Sequence, residues 1–175
     1  MYILGIHDGH NAAAVLLKDG RVVAGVQEER PRGLKNAMGM PKGAIHDVLD
    51  QAGITPANVD FVALSGFHSG EYIDADQCSN PSELVIEWHQ AQYDQRPFNL
   101  KRLIRPLLPQ SVYELVKGNR IRERRMAAVT SMGFPRARIR LVEHHTAHAS
   151  SAYYGWGKLD EPVLVLTNDG MGDDL

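Results

Sequence analysis

A chain of 175 residues, 43 % of them hydrophobic, is long enough for one domain with a genuine core, and a net charge of −2 gives no electrostatic basis for binding nucleic acid or a membrane surface. The single cysteine, Cys78, excludes an internal disulfide. With no signal peptide and no apolar run of membrane-spanning length, cytoplasmic residence is the default expectation.

Tyr2 to Ile6 reads as a compact apolar strand, His7 to Asn11 (HDGHN) as a turn, and Ala12 to Leu17 as a second strand. Lys18-Asp19-Gly20 carries the Asp-Gly hairpin signal, and Arg21 to Gln27 follows as a third strand. Pro41 suits the start of a helix in which Ile45, Val48, Leu49 and Ala52 recur at helical spacing, with Gly53 as its stop. Phe61 to Ser65 (FVALS) is the next strand, short and apolar enough to be buried.

Three antiparallel strands, a helix and another strand resemble the opening of a ribonuclease H-like unit, the half-domain of the actin-like ATPase architecture. That resemblance implies an α/β fold with flanking helices. In that architecture the turn between the first two strands approaches a phosphate. Here the turn holds Asp8, Gly9 and His10, where glycine permits close backbone approach and exposed amide N–H groups bind an anion.

Residues 67–110 read as a helical insertion able to line a substrate pocket. Asn80-Pro81-Ser82-Glu83 is a helix start there, and Leu84, Val85, Trp88 and Ala91 form a stripe that reads as packing. Asn99 to Arg105 forms another short helix, which Pro106 interrupts. Ser111-x-x-Glu114 is a capping box opening a helix that continues through Met132 and carries Arg120 to Arg125 (RIRERR) as a solvated face. Arg138 to Val142 reads as a strand.

VEHHTAHASS follows, with three of the eight histidines inside five positions. On a helix His144 and His148 lie one turn apart on one face, so two imidazoles can share one metal ion. The glutamate base of H-E-x-x-H is missing because position 145 is a histidine, which weakens a protease reading. Histidine pairs also cap helices or sit in solvent, and that alternative stays open on spacing alone. Ala147, Ala149 and Ala152 allow this helix to approach the sheet closely. Val163 to Thr167 (VLVLT) reads as a buried strand delivering Asp169, a candidate third ligand in a two-histidine, one-carboxylate site of the iron or zinc type. An Asp-Gly turn is the simpler alternative for Asp169. Residues 1–157 are expected to form the first subdomain, with 158–175 beginning a second and truncated one.

The start YILGIHDGHNAAAVLLKDGRVVAGVQEER, the stretch VEHHTAHASSAYYG and the run VLTNDGMGD together resemble the O-carbamoyltransferases of the nodulation and antibiotic-tailoring type. The resemblance implies transfer of a carbamoyl group from an ATP-derived carbamoyl adenylate, with carbamoyl phosphate as upstream donor, to a hydroxyl of a small-molecule acceptor such as a sugar. It also implies a divalent transition metal, iron or zinc, on His144, His148 and Asp169, with His10 as catalytic residue beside the carbamoyl group. Asp8, Gly9, Gly170 and Gly172 are the implied nucleotide-binding residues. Asn11 stands where the family has Asp, so this chain has no carboxylate at that position. The resemblance further implies a second transferase half and an adenylate-forming domain, neither within these residues. The chain alone is therefore expected to be inactive. Two other readings compete. An actin-like phosphotransferase or ATPase uses the two Gly-rich turns but leaves the histidines idle, and a non-catalytic assembly fragment uses neither.

Overall fold

The computed structural model describes residues 1–67, 110–157 and 160–169. Five strands form one mixed sheet: β1 (Tyr2–His7), β2 (Ala13–Lys18), β3 (Arg21–Gln27), β4 (Phe61–Ser65) and β5 (Ile139–Val142), in the spatial order β3-β2-β1-β4-β5. The first three pair antiparallel, and β1, β4 and β5 run parallel. The expected antiparallel start and the following strands thus form an α/β sheet with flanking helices.

The β2–β3 turn places Asp19 (φ 51°) and Gly20 (φ 79°) in the left-handed region, as a two-residue Asp-Gly hairpin requires. Alternation decides which face is buried. Leu4 and Ile6 of β1 register with Leu16 and Ala14 of β2 and with Val62 and Leu64 of β4, and all six are buried. Helix α1 (Glu29–Arg32) is a single turn that periodicity could not announce. Helix α2 (Lys42–Ala52) packs on β2 and β3 with Ala44, Ile45, Val48 and Leu49 inward, and it ends at Gly53 in the left-handed conformation. Helix α3 (Gln110–Ser131) contributes Val129, and Phe134 just beyond it is fully buried. Helix α4 (His144–Gly155) completes the described elements.

Glu28 explains how α2 begins. Pro41 is the residue before the helix and makes no side-chain cap. Instead the Gly43 and Ala44 N–H groups donate to the buried Glu28 carboxylate at 3.2 and 2.7 Å. A carboxylate there satisfies two orphan amides and faces the positive end of the helix dipole, which offsets the cost of burying it. The fit is close, because a Cβ on Gly43 would come within 2.7 Å of Pro31.

Three expectations are corrected. Arg120 to Arg125 is not wholly a solvated face, since Arg125 is buried. Val163 to Thr167 is not a buried strand: no described strand pairs with it, so it lacks a ladder, and Leu164 and Leu166 are 94 % and 88 % exposed. Helix α4 fully buries none of its described residues: Ala147 and Ala149 are half-buried and Ala152 is exposed, so the three alanines do not form one closely packed face. The helices expected at residues 80–105 lie outside the described residues. No described helix is long and apolar enough to cross a membrane.

Candidate metal centre and the neighbouring turn

Parallel β1, β4 and β5 end at the same edge of the sheet, and each delivers one part of the candidate site. β1 runs into the Asp8–Asn11 turn, β4 into Ser65 and Gly66, and β5 through Glu143 into α4. With strands about 4.8 Å apart, the turn and the start of α4 are separated by about 10 Å of sheet edge. The carboxyl edge of parallel strands is where open α/β sheets bind ligands.

Helix α4 starts at His144 because Glu143 caps it. The Glu143 carboxylate accepts from the N–H of His145 (2.8 Å), the N–H of Thr146 (2.6 Å) and the Thr146 hydroxyl (2.8 Å). These bonds lower its pKa from 4.5 to about 2, the His145 N–H contributing most. A depressed carboxylate stabilises the fold fully above its unfolded pKa and loses that contribution as pH falls through the folded one. The His145 and Thr146 amides should therefore stay protected from hydrogen exchange down to about pH 4.5 and lose protection steadily toward pH 2. Glu143→Gln should flatten that profile. An equally pH-dependent profile in the variant would refute the cap.

One helical turn separates His144 from His148, and their rings lie 4.7 Å apart, centroid to centroid. His144 Nε2 is 2.7 Å from Asp169 Oδ2, His148 Nε2 is 3.1 Å from the same oxygen, and the two nitrogens are 3.1 Å apart. All candidate ligand atoms of this trio lie within 4.8 Å of one another. Three atoms this close all come within reach of one ion with bonds of about 2.0–2.1 Å. Two imidazoles and one carboxylate are a donor set for iron, zinc and related metals. The three residues therefore fit a transition-metal ion, and the pairing of His144 and His148 follows directly from their spacing.

The turn is held from below by an ion pair that crosses 117 residues. Arg125 Nε and Nη2 donate to the two oxygens of Asp8, each at 2.7 Å, and both side chains are buried. Arg125 Nη2 also donates to the Ser65 carbonyl at 2.6 Å, and Nη1 to the Gly66 carbonyl. One guanidinium thus ties α3 to the ends of β1 and β4. Asp8 faces this clamp and Gly9 is buried beside it, while His10 and Asn11 are exposed. Gly66 N–H continues the edge by donating to the Val142 carbonyl at 2.7 Å. Gly170 and Gly172 lie outside the described residues.

Sequence reasoning missed the clamp made by Arg125, the hold of Glu28 on the start of α2 and the Glu143 cap. Glu143 had a local signal, an oxygen-bearing residue directly before the histidine run. Arg125 had none, since its partners are remote in the chain.

The family model for the carbamoyltransferase N-terminus matches residues 2–174. Nodulation protein NolNO of Sinorhizobium fredii is 32 % identical over 166 residues, covering 94 % of this chain and 20 % of NolNO. An uncharacterized 19.2 kDa protein of Rhizobium etli is 43 % identical over 80 residues, 45 % of this chain and 47 % of that protein. An uncharacterized Synechocystis protein is 28 % identical over 177 aligned positions, 98 % of this chain and 26 % of its own length. The chain thus spans less than half the length of each of these curated relatives.

Proposed function

The chain belongs to the carbamoyltransferase N-terminus family, and on that premise we propose that it carries the transferase half-site of an enzyme moving a carbamoyl group from carbamoyl adenylate to a hydroxyl of a small-molecule acceptor. The observation that carries this reading is the convergence of His144, His148 and Asp169 on one point. These residues would hold a divalent transition metal, which when bound supplies positive charge against the adenylate phosphate. Gly9 and the turn amides around it supply N–H groups for the same anion, with Gly170 and Gly172 as further nucleotide contacts.

His10 is the candidate general base. Its ring nitrogen takes the proton of the acceptor hydroxyl as that oxygen bonds to the carbamoyl carbon. The bond from carbamoyl carbon to phosphate oxygen breaks, and AMP leaves with the electron pair. The Asp8–Arg125 clamp holds this turn in place, so donors and base are fixed before the substrate arrives. A separate adenylate-forming domain, fed by ATP and carbamoyl phosphate, would supply the substrate. We read the sheet as the first half of a ribonuclease H-like, actin-like unit, a reading supported by strand order β3-β2-β1-β4-β5 with β1, β4 and β5 parallel.

Given carbamoyl adenylate, the full-length protein is expected to release AMP in step with added hydroxyl acceptor. His10→Ala should lower kcat by about 10²–10⁴-fold, the usual worth of a positioned base. AMP release that ignores the acceptor and survives His10→Ala unchanged would refute the assignment.

A further inference from the structure

His7, the last residue of β1, has no part in the chemistry above, yet both its ring nitrogens are engaged. Nε2 lies 3.1 Å from the backbone carbonyl of His10, and Nδ1 lies 2.9 Å from the Ser65 hydroxyl. A carbonyl oxygen only accepts, so Nε2 carries the proton. In the neutral ring Nδ1 is then an acceptor, and the Ser65 O–H donates to it. We propose that His7 is a positioning residue: locked by Ser65 in the Nε2–H tautomer, it holds the His10 carbonyl and so fixes where the His10 ring is presented.

The β1–β2 turn reverses the chain between His7 and Ala13, and Asn11 adopts a left-handed φ of 54° within it. Arg125 anchors the turn at Asp8, and the Ala12 N–H anchors its far end by donating to the Ala37 carbonyl at 2.9 Å. The bond from His7 to His10 closes that span, and β4, through Ser65, sets the ring's tautomer. Desolvation is the main influence on His7 and lowers its pKa below the ordinary imidazole value, with Arg125 and His10 acting in the same direction and Asp8 and the His10 carbonyl opposing. The neutral form, which needs an N–H on one side and a lone pair on the other, is thereby favoured.

This role rests on His10 being the base, and the test separates the two claims. Nitrogen-15 NMR of the imidazoles in the full-length protein should find His7 neutral with the proton on Nε2 at pH 7. His7→Phe removes the donor and should shift the backbone amides of Asp8 to Asn11, while kcat for carbamoyl transfer falls by up to about 100-fold, the cost of a misplaced group. KM for the adenylate should change little. His7→Gln keeps an N–H near the Nε2 position and should restore most of both signals, a rescue that loss of packing would not permit.

An Nδ1–H tautomer would overturn the proposal, as would a Phe variant with unaltered turn amides or a Gln variant as impaired as Phe. If the Phe variant does not fold, the wild-type tautomer and the Gln variant still decide the matter. Should the wild-type protein transfer no carbamoyl group, the functional reading falls while the tautomer and turn amides judge the positioning role by themselves.

Discussion

Arg125→Met is expected to destabilise the fold by about 3–5 kcal/mol, the usual result of removing one member of a buried ion pair. The variant strips Asp8 of its guanidinium inside the protein, and it also takes a donor from the carbonyls of Ser65 and Gly66. Against a total stability of about 5–15 kcal/mol this is a large share. Arg125→Lys should recover only part of it, because an ammonium keeps the charge but not the planar fork that meets two carboxylate oxygens together with two carbonyls. The double variant Asp8→Leu, Arg125→Met should be more stable than Arg125→Met alone, since no carboxylate is then left buried without its counter-charge. Urea unfolding midpoints of the four proteins measure this. A single Met variant within about 1 kcal/mol of wild type would mean that the clamp contributes no more than an exposed pair.

Bound metal should vanish from a His144→Ala, His148→Ala variant of the full-length protein. Either single change should weaken affinity by more than the roughly 10–100-fold lost when a group merely supporting a ligand is removed. The comparison is clean because α4 buries none of its residues among the described ones and alanine is the strongest helix former. The Glu143 cap is left in place, so lost metal would not report a melted helix. Asp169→Asn should also reduce affinity while leaving the two histidines facing each other. Elemental analysis after dialysis, with competition titration against a chelator, provides the readout. Metal retained at wild-type affinity by the double variant would remove these residues from any metal centre.

What was legible in the sequence was local. The Asp19-Gly20 turn fixes the β2–β3 hairpin, the four inward residues of α2 recur at helical spacing, and His144 and His148 are one turn apart by arithmetic. Phe61 to Ser65 was readable as a strand because the apolar run is too short for a helix and is bounded by Asp60 and Gly66. The errors share a cause. Arg125 looked solvated because charge runs usually are, and only the packing of α3 against the strand ends buries it. Val163 to Thr167 looked like a buried strand because composition cannot say whether a neighbouring strand is available. The role of Glu28 was invisible for the same reason, its partners being the amides of Gly43 and Ala44 across a loop.

Arg125 sits fifteen residues into α3, counting from Gln110, and at about 1.5 Å per residue this puts Gln110 about 22 Å along the helix axis from the clamp. Phe67, by contrast, directly follows Gly66, whose carbonyl Arg125 holds. Phe67 therefore lies beside the carboxyl edge, whereas Gln110 lies at the other end of the helix from the guanidinium. Deleting one helical residue upstream of Arg125 would turn the helical residues before the cut by about 100° around the axis and draw them in by about 1.5 Å, with the guanidinium still seated. Helix length is thus a setting that evolution can change in fixed angular steps without disturbing the edge where chemistry would occur.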